Sequence, residues 1–396
     1  MLYSIGMIIL MGMFMGWICK RIKAPALIGM LLTGILLGPF GFGLLDSSIL
    51  NISAEIRKIA LIIILTRAGL SLDLNGLKKI GRPAVMMCFV PATFELLGIL
   101  LLGPKLLGMT LLEAAILGSV LAAVSPAVVV PRMVKLTEEG YGTGQGIPQL
   151  ILAGASVDDV YVIVLFSTFT GMAQGDGVSL IRFINIPISI VAGITIGVVA
   201  GIVLSKYFEK FHIRDTAKIL IMLSISLLLV AAEDALSTPI TFSSLIAVMF
   251  VGVALQKRKP ELTKRLSQKY NKLWVGAEVF LFVLVGATVN IGYLKNVGMT
   301  AILIIFGALV FRMFGVFLCV LGTKLNKKER FFTMLAYTPK ATVQAAIGGV
   351  PLAMGLACGD TVLTVAVLAI VITAPLGAFT IDSTYRKFLI HERNLP

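Results

Sequence analysis

Apolar residues run along this chain in long stretches, separated by short clusters rich in Lys, Arg, Gly and Pro. Thirteen of these stretches have the length of a membrane-spanning helix: roughly 2–19, 25–45, 57–74, 84–103, 110–133, 149–172, 185–205, 218–235, 238–256, 273–290, 298–322, 331–354 and 361–382. The pattern predicts an all-α polytopic membrane protein with 13 transmembrane helices. An odd count sets the two termini on opposite sides. The first stretch begins almost at Met1, without a basic region before it or a small-residue cleavage site, so it reads as a retained span rather than a signal peptide.

Composition agrees with the pattern. The 396 residues are 58% hydrophobic and 14% charged, with a mean hydropathy of +0.99 that excludes an ordinary soluble protein. Charge then fixes an orientation. With the N-terminus outside and the C-terminus cytoplasmic, the inner loops hold 26 of the 34 Lys and Arg, starting at Lys20, Arg21 and Lys23 and including 206–218, 257–272, 324–330 and the tail. The outer face holds five: Arg57, Lys58, Lys105, Arg182 and Lys295. The net charge of +14 therefore reflects topology and attraction to anionic membrane lipid, and no nucleic-acid partner is inferred from it. The longest charged link, 257–272, reads as an amphipathic surface helix. Cys19, Cys88, Cys319 and Cys358 are scattered without a CxxC or Cys/His cluster, so no disulfide framework or zinc site is expected. His212 and His391 fall in cytoplasmic segments and read as solvated surface.

The chemistry concentrates in AGASVDDVYV, residues 153–162, where Asp158 and Asp159 are the only charges between Gln149 and Met172. A carboxylate at a helix centre costs about 2.5 to 3.5 kcal/mol on insertion scales, so two in succession at mid-span mark a working site. Neighbours on a helix project about 100° apart, so one should face the ion path and the other support it. Desolvation and a like neighbour favour the protonated form, which sets protons in competition with a hard cation that prefers oxygen ligands. Three cations also fall within spans: Arg67, Arg312 and Lys340, with Glu95 the other deep acid. Glu113, Glu233, Asp234 and Glu278 lie nearer predicted helix ends and read as interfacial. Gly193, Gly197 and Gly201 form a small-residue stripe suited to close helix packing.

A weak internal repeat runs through the chain. At an offset of 217 residues, Phe94-Glu95-Leu96-Leu97-Gly98 falls on Phe311-Arg312-Met313-Phe314-Gly315, and Gly69, Ser71, Asp73, Leu77 and Lys78 fall on Gly286, Thr288, Asn290, Leu294 and Lys295. At an offset of 213, Ser125-Pro126 falls on Thr338-Pro339. The matched spans lie seven helices apart and so cross the membrane in opposite directions. That predicts inverted repeats, spans 1–6 and 8–13, with Glu95 and Arg312 meeting as a buried pair near the pseudo-two-fold axis. Mid-span proline removes a backbone hydrogen bond. Pro126 with Pro131, and Pro339 with Gly348 and Gly349, should therefore break the fifth and twelfth helices into two crossed discontinuous helices. Lys340, next to Pro339, would offset the carbonyl ends of the half-helices.

TRAGLSLDL (66–74), the Ser125-Pro126 segment, ASVDDV (155–160), FLFVLVGATVN (280–290) and TPKATVQA (338–345) together resemble the monovalent cation/proton antiporters. The likeness is to the paired-aspartate branch that includes bacterial sodium/proton antiporters and NHA-type exchangers, and it covers essentially the whole chain. Arg312 stands where many electrogenic bacterial members resemble one another in having lysine, and the Glu95/Arg312 pair with TPK fits the NHA-type branch. The resemblance implies a homodimer in a prokaryotic cytoplasmic membrane, with a core bundle (about 84–172 and 298–382) moving in an elevator-like way against a dimerisation bundle (about 1–74 and 218–290), joined by a linker helix at about 185–205. It implies that Asp158 and Asp159 bind Na⁺ or Li⁺ in competition with H⁺, with Asp159 the direct ligand. Backbone oxygen near Val124 and Ser125 would contribute, Lys340, Glu95 and Arg312 would support the site, and no cofactor would be needed. The implied activity is sodium/proton exchange serving pH homeostasis.

Other readings of the same residues remain open. The Asp pair could form a structural ion pair with Lys340, although one lysine leaves one acid unneutralised. A K⁺ efflux system or cation channel of similar fold is a second possibility; such proteins often append a soluble nucleotide-binding domain, which this sequence does not show before Pro396. A sodium-coupled organic-solute symporter would share crossed broken helices, but no aromatic or polar substrate pocket is evident.

Overall fold

A computed structural model describes residues 1–22, 24–72, 80–174, 180–211, 213–235 and 242–392. Of the residues discussed above, Lys23, Asp73, Leu74, Leu77, Lys78 and His212, with the side chains of Arg182, Asp234 and Lys295, lie outside the described residues. The chain is helical throughout its described length apart from turns and one isolated bridge, Tyr141 with His391. Nine helices among the described residues are long and apolar enough to cross a membrane.

The helices are α1 (Leu2–Arg21), α2 (Ala26–Leu37), α3 (Ser47–Asn51), α4 (Ser53–Ser71), α5 (Arg82–Met87), α6 (Val90–Leu107), α7 (Leu111–Leu121), α8 (Pro126–Glu138) and α9 (Ile147–Ala173). They continue with α10 (Leu180–Lys210), α11 (Asp215–Ala235), α12 (Ser244–Arg258), α13 (Pro260–Ala287) and α14 (Ile291–Val320). The last four are α15 (Lys327–Ala336), α16 (Thr342–Ile347), α17 (Val350–Ala353) and α18 (Gly359–Phe388). Local chemistry sets several ends. Gly108, at φ 64°, stops α6, and a capping box between Thr110 and Glu113 starts α7 two residues later. Asn326 and Glu329 form the equivalent box at the start of α15.

The chain divides into two compact units. The first comprises Met1–Ala54, Asp73–Gln174 and Phe282–Pro396. Here α6 and α14 pack closely because each offers a glycine to the other: a Cβ on Gly98 would lie 2.7 Å from the Phe311 ring, and one on Gly315 would lie 2.9 Å from Pro91 Cα. Phe94 and Phe314 meet edge to face beside them, with centroids 5.5 Å apart. A buried apolar cluster that includes Met87, Val124, Ile151, Phe332 and Ile381 joins α5, α8, α9, α15 and α18.

The second unit comprises Glu55–Leu72 and Gly175–Leu281. The stripe of Gly193, Gly197 and Gly201 lies against α12, where added Cβ atoms would come within 2.5 Å of the Ser243 carbonyl, 2.4 Å of the Ala247 carbonyl and 2.7 Å of Ala254 Cβ. Arg67 lays its guanidinium over the Trp274 ring at 5.5 Å, a cation–π contact within the protein.

Three sequence expectations need correction. Residues 260–272 are not a separate surface helix; they form the first turns of the continuous α13, started by Pro260 at a position where a missing N–H costs nothing. Pro131 does not end a helix: it lies inside α8, and the break falls at 122–125, ahead of Pro126 at the first turn of α8. His391 is not fully solvated surface, because its ring packs edge-on against Tyr141 with centroids 4.8 Å apart.

Candidate functional site

Two interruptions of helix face each other in the first unit. One separates α7 from α8 at 122–125, and the other separates α15 from α16 at 337–341. Their backbones touch directly: the Ser125 N–H donates to the Pro339 carbonyl at 2.7 Å. Proline explains why the pairing happens here. Pro126 and Pro339 have no N–H to give, and the residue preceding a proline is steered into extended backbone, as Ser125 is at ψ 111°. An interrupted helix leaves its last carbonyls without partners. On α7 these are taken by side chains: Gln344 Nε2 donates to the carbonyls of Ala123 at 3.0 Å, Val120 at 3.1 Å and Leu121 at 3.3 Å. Arg312 donates to the Ala122 carbonyl and, through Nε at 2.6 Å, to the Tyr337 carbonyl.

Four buried charges meet between these interruptions. Arg312 Nη1 donates to Glu95 Oε2 at 2.8 Å, and Nη2 donates to Asp158 Oδ2 at 2.8 Å. Lys340 Nζ lies 2.7 and 2.8 Å from the two oxygens of Glu95. Its own N–H donates to Thr373 Oγ1 at 2.9 Å. Asp158 Oδ2 also accepts from the Val124 N–H at 2.8 Å, which ties α9 to the first interruption. Tyr337 completes the cage, its ring 4.9 Å from the Arg312 guanidinium carbon and its hydroxyl donating to the Met87 carbonyl at 3.0 Å.

The predicted site residues thus fall into three groups. Glu95, Arg312, Lys340, Asp158 and Val124 are bonded into one network, and Pro126 and Pro339 shape the interruptions that frame it. Ser125 is buried beside them, with Oγ lacking a hydrogen-bond partner among the described residues. Asp159 is buried next to Asp158 but joins none of these bonds; its Oδ1 and Asp158 Oδ1 have no hydrogen-bond partner among the described residues.

The expected placement of Lys340 on the half-helix carbonyls is corrected: its ammonium sits on Glu95, because a full negative charge in a dry interior outbids a partial one. The structural Asp-pair/Lys340 bridge is replaced by Arg312 on Asp158. Gln344, Tyr337 and Thr373 escaped sequence reasoning. Only Gln344 carried a signal, a lone amide within an apolar span.

Three carboxylates therefore share two cations. Arg312 and Lys340 are engaged with Glu95 and Asp158, and Asp159 is the acid left over. Its oxygen and those of Asp158 and Ser125 are acceptors of the kind a proton or a hard cation seeks. No group of three or more His, Cys, Asp and Glu gathers among the described residues in a way that could hold a metal ion.

Many apolar helices with a buried, charge-bearing break define a polytopic membrane transporter. Residues 7–387 match the family described as "Sodium/hydrogen exchanger, transmembrane", and the chain belongs to that family, one of transporters and not of enzymes. It is 35% identical over 377 residues to sodium/hydrogen exchanger 9B2 of Mus musculus, covering 90% of this chain and 67% of that one. It is 31% identical over 383 residues to sodium/hydrogen exchanger 9B1 of Homo sapiens, covering 92% and 72%. In fold it is similar to the sodium proton antiporter MjNhaP1 from Methanocaldococcus jannaschii, with a TM-score of 0.85 at 20% identity over 97% of each chain.

Proposed function

We propose that this protein exchanges Na⁺ or Li⁺ for H⁺ across a cell membrane, with both ions competing for Asp159 and its neighbour Asp158. One observation carries the reading: three buried carboxylates face two buried cations, so the site holds one negative charge more than its own residues neutralise. An uncompensated charge in a low-dielectric interior is costly. A proton or a monovalent cation relieves that cost equally, and a site that crosses the membrane only when neutralised is an antiporter. Arg312 holds its proton too tightly to release one, so the carried proton rides on a carboxylate. Oxygen from Asp158, Asp159, Ser125 and the backbone near Val124 supplies the donors a hard cation prefers.

The wider architecture follows the same proposal. Thirteen spans, arranged as inverted repeats of spans 1–6 and 8–13, would cross their discontinuous fifth and twelfth helices at this site. Helix under each of the thirteen apolar stretches and the Ser125–Pro339 contact between two interruptions support it. Movement would be elevator-like, with residues of about 84–172 and 298–382 carrying the site against a dimerisation bundle of about 1–74 and 218–290, and 185–205 as the linker. An N-terminus outside and a C-terminus in the cytoplasm fit the charge asymmetry of the loops, and the assembly would be a homodimer, as the family resemblance implies. The names of the animal relatives and of the archaeal antiporter support sodium/proton exchange as the activity.

The test is proton flux in reconstituted vesicles, read with an internal pH dye during Na⁺, Li⁺ and K⁺ pulses. Cation-driven proton movement that disappears in Asp159→Asn is expected. Unchanged exchange in that variant removes Asp159 from the site. Cation conductance without proton movement turns the assignment to a channel, and dependence on an added organic solute turns it to a symporter.

A further inference from the structure

Within the second unit, the last turns of α10, the first turn of α11 and the α12–α13 junction surround a cavity of about 280 Å³. Ser205, Phe208, Glu209, Lys218, Lys259 and Arg265 line it. Its charges are unevenly matched. Lys259 Nζ lies 2.9 Å from Glu209 Oε1, and Arg265 Nε lies 3.0 Å from Asp215 Oδ2. Lys218 Nζ must share Asp215 and reaches its Oδ1 only at 3.5 Å. Arg258 and Lys206 act through space on the same Glu209 carboxylate. At the cavity itself three cations, Lys218, Lys259 and Arg265, therefore share two carboxylates.

Lys218 feels the imbalance most. It is 7% exposed, and Phe208 covers its ammonium with a ring centroid 5.7 Å away, so water does little to offset the charge. Ser205, fully buried at the same cavity, has an Oγ without a hydrogen-bond partner among the described residues. A serine within a helix ordinarily bonds the carbonyl one turn back, so an idle hydroxyl here is available to a ligand. Ammonium, guanidinium and hydroxyl donors around one hollow suit a tetrahedral oxyanion with several acceptor oxygens.

We propose that this cavity binds a phosphate group, carried either by an anionic phospholipid headgroup or by a soluble phosphate anion. Lys218 and Ser205 meet its oxygens at the buried end, Arg265 and Lys259 meet them at the rim, and Glu209 and Asp215 hold the rim cations in position. The basic loops around it belong to the face that the charge asymmetry assigns to the cytoplasm, where anionic lipid is concentrated. A bound phosphate ties α10 and α11 to α13 through one ligand.

The test uses the purified full-length protein in neutral detergent, titrated with dihexanoyl phosphatidylglycerol, with dihexanoyl phosphatidylcholine, and with pyrophosphate against chloride at equal ionic strength. Saturable binding of phosphatidylglycerol, of pyrophosphate, or of both over their controls is expected. The pattern identifies headgroup, soluble anion or phosphate itself as the ligand, and each supports the site. Lys218→Gln and Arg265→Gln should each weaken binding by about tenfold. The paired change Lys327→Gln/Lys328→Gln, at exposed positions of α15, should leave it unchanged. Arg265 has a side chain 59% exposed, so Arg265→Gln keeps the test open if Lys218→Gln does not fold. No saturable binding, equal binding by wild type and both pocket variants, or an equal loss in the α15 control overturns the proposal.

Discussion

Arg312 is the most heavily engaged side chain at the site, holding Glu95, Asp158 and the carbonyls of Ala122 and Tyr337 at once. Removing one partner of a buried ion pair strands the other, at a cost of about 3 to 5 kcal/mol. Arg312→Gln should therefore lower the thermal midpoint strongly, and because Asp158 is also released, cation affinity should fall with it. A variant of wild-type stability that has lost transport would show that Arg312 acts in transport rather than in support. Asp159 predicts the opposite pattern. It is buried and joins none of the bonds of the network, so Asp159→Asn removes a costly charge without stranding a partner and should keep or raise the thermal midpoint while exchange disappears.

At the scale of elements, the α7 C-terminus depends on Gln344, which gives its amide to three carbonyls. Gln344→Leu keeps the bulk and withdraws the donors. The orphaned carbonyls should cost about 1 to 3 kcal/mol of stability, measured by thermal unfolding. A second elementary junction joins the start of the α8–α9 connection to the end of α18. Glu139 accepts from the Tyr385 hydroxyl at 2.8 Å, with Lys135 and Arg386 nearby. The tyrosine hydroxyl first, and then the two cations, hold its carboxyl below its ordinary value. A depressed carboxylate adds stability above its unfolded value and loses it as pH falls through the folded one. Unfolding midpoints of wild type and Glu139→Gln should therefore differ at neutral pH and converge below about pH 4.

At the scale of the whole molecule, the proposed function, with one net negative charge at the site, predicts that one proton and one monovalent cation are interchangeable loads. Clamping voltage with valinomycin and K⁺ should then leave the exchange rate unchanged; acceleration would mean that unequal charges cross. Orientation is testable because the four native cysteines are all buried. A single cysteine replacing Lys328 should react with an impermeant thiol reagent only from the cytoplasmic side, and one replacing Lys105 only from outside. The reverse pattern would invert the topology.

The sequence by itself determined that the chain is helical and lies in a membrane, because runs of apolar residues of bilayer length leave few other choices. It also marked the costly residues: Asp158, Asp159, Glu95, Arg312 and Lys340 stand out because charge in such runs is rare. The internal repeat, by setting Glu95 and Arg312 at equivalent positions, also indicated that these two meet, as they do at 2.8 Å; the remaining partners only the tertiary structure decided. Arg312 has five donors and can serve several acceptors, so its link to Asp158 is set by how α14, α9 and the two interruptions approach one another, a long-range geometry that spacing along the chain does not encode. The same holds for Lys340, drawn to Glu95 rather than to carbonyl ends, and for Gln344, whose three acceptors lie more than 220 positions away along the chain. A pattern in sequence prices each residue against the membrane one at a time, whereas the distribution of partners depends on distances that exist only after the helices have packed.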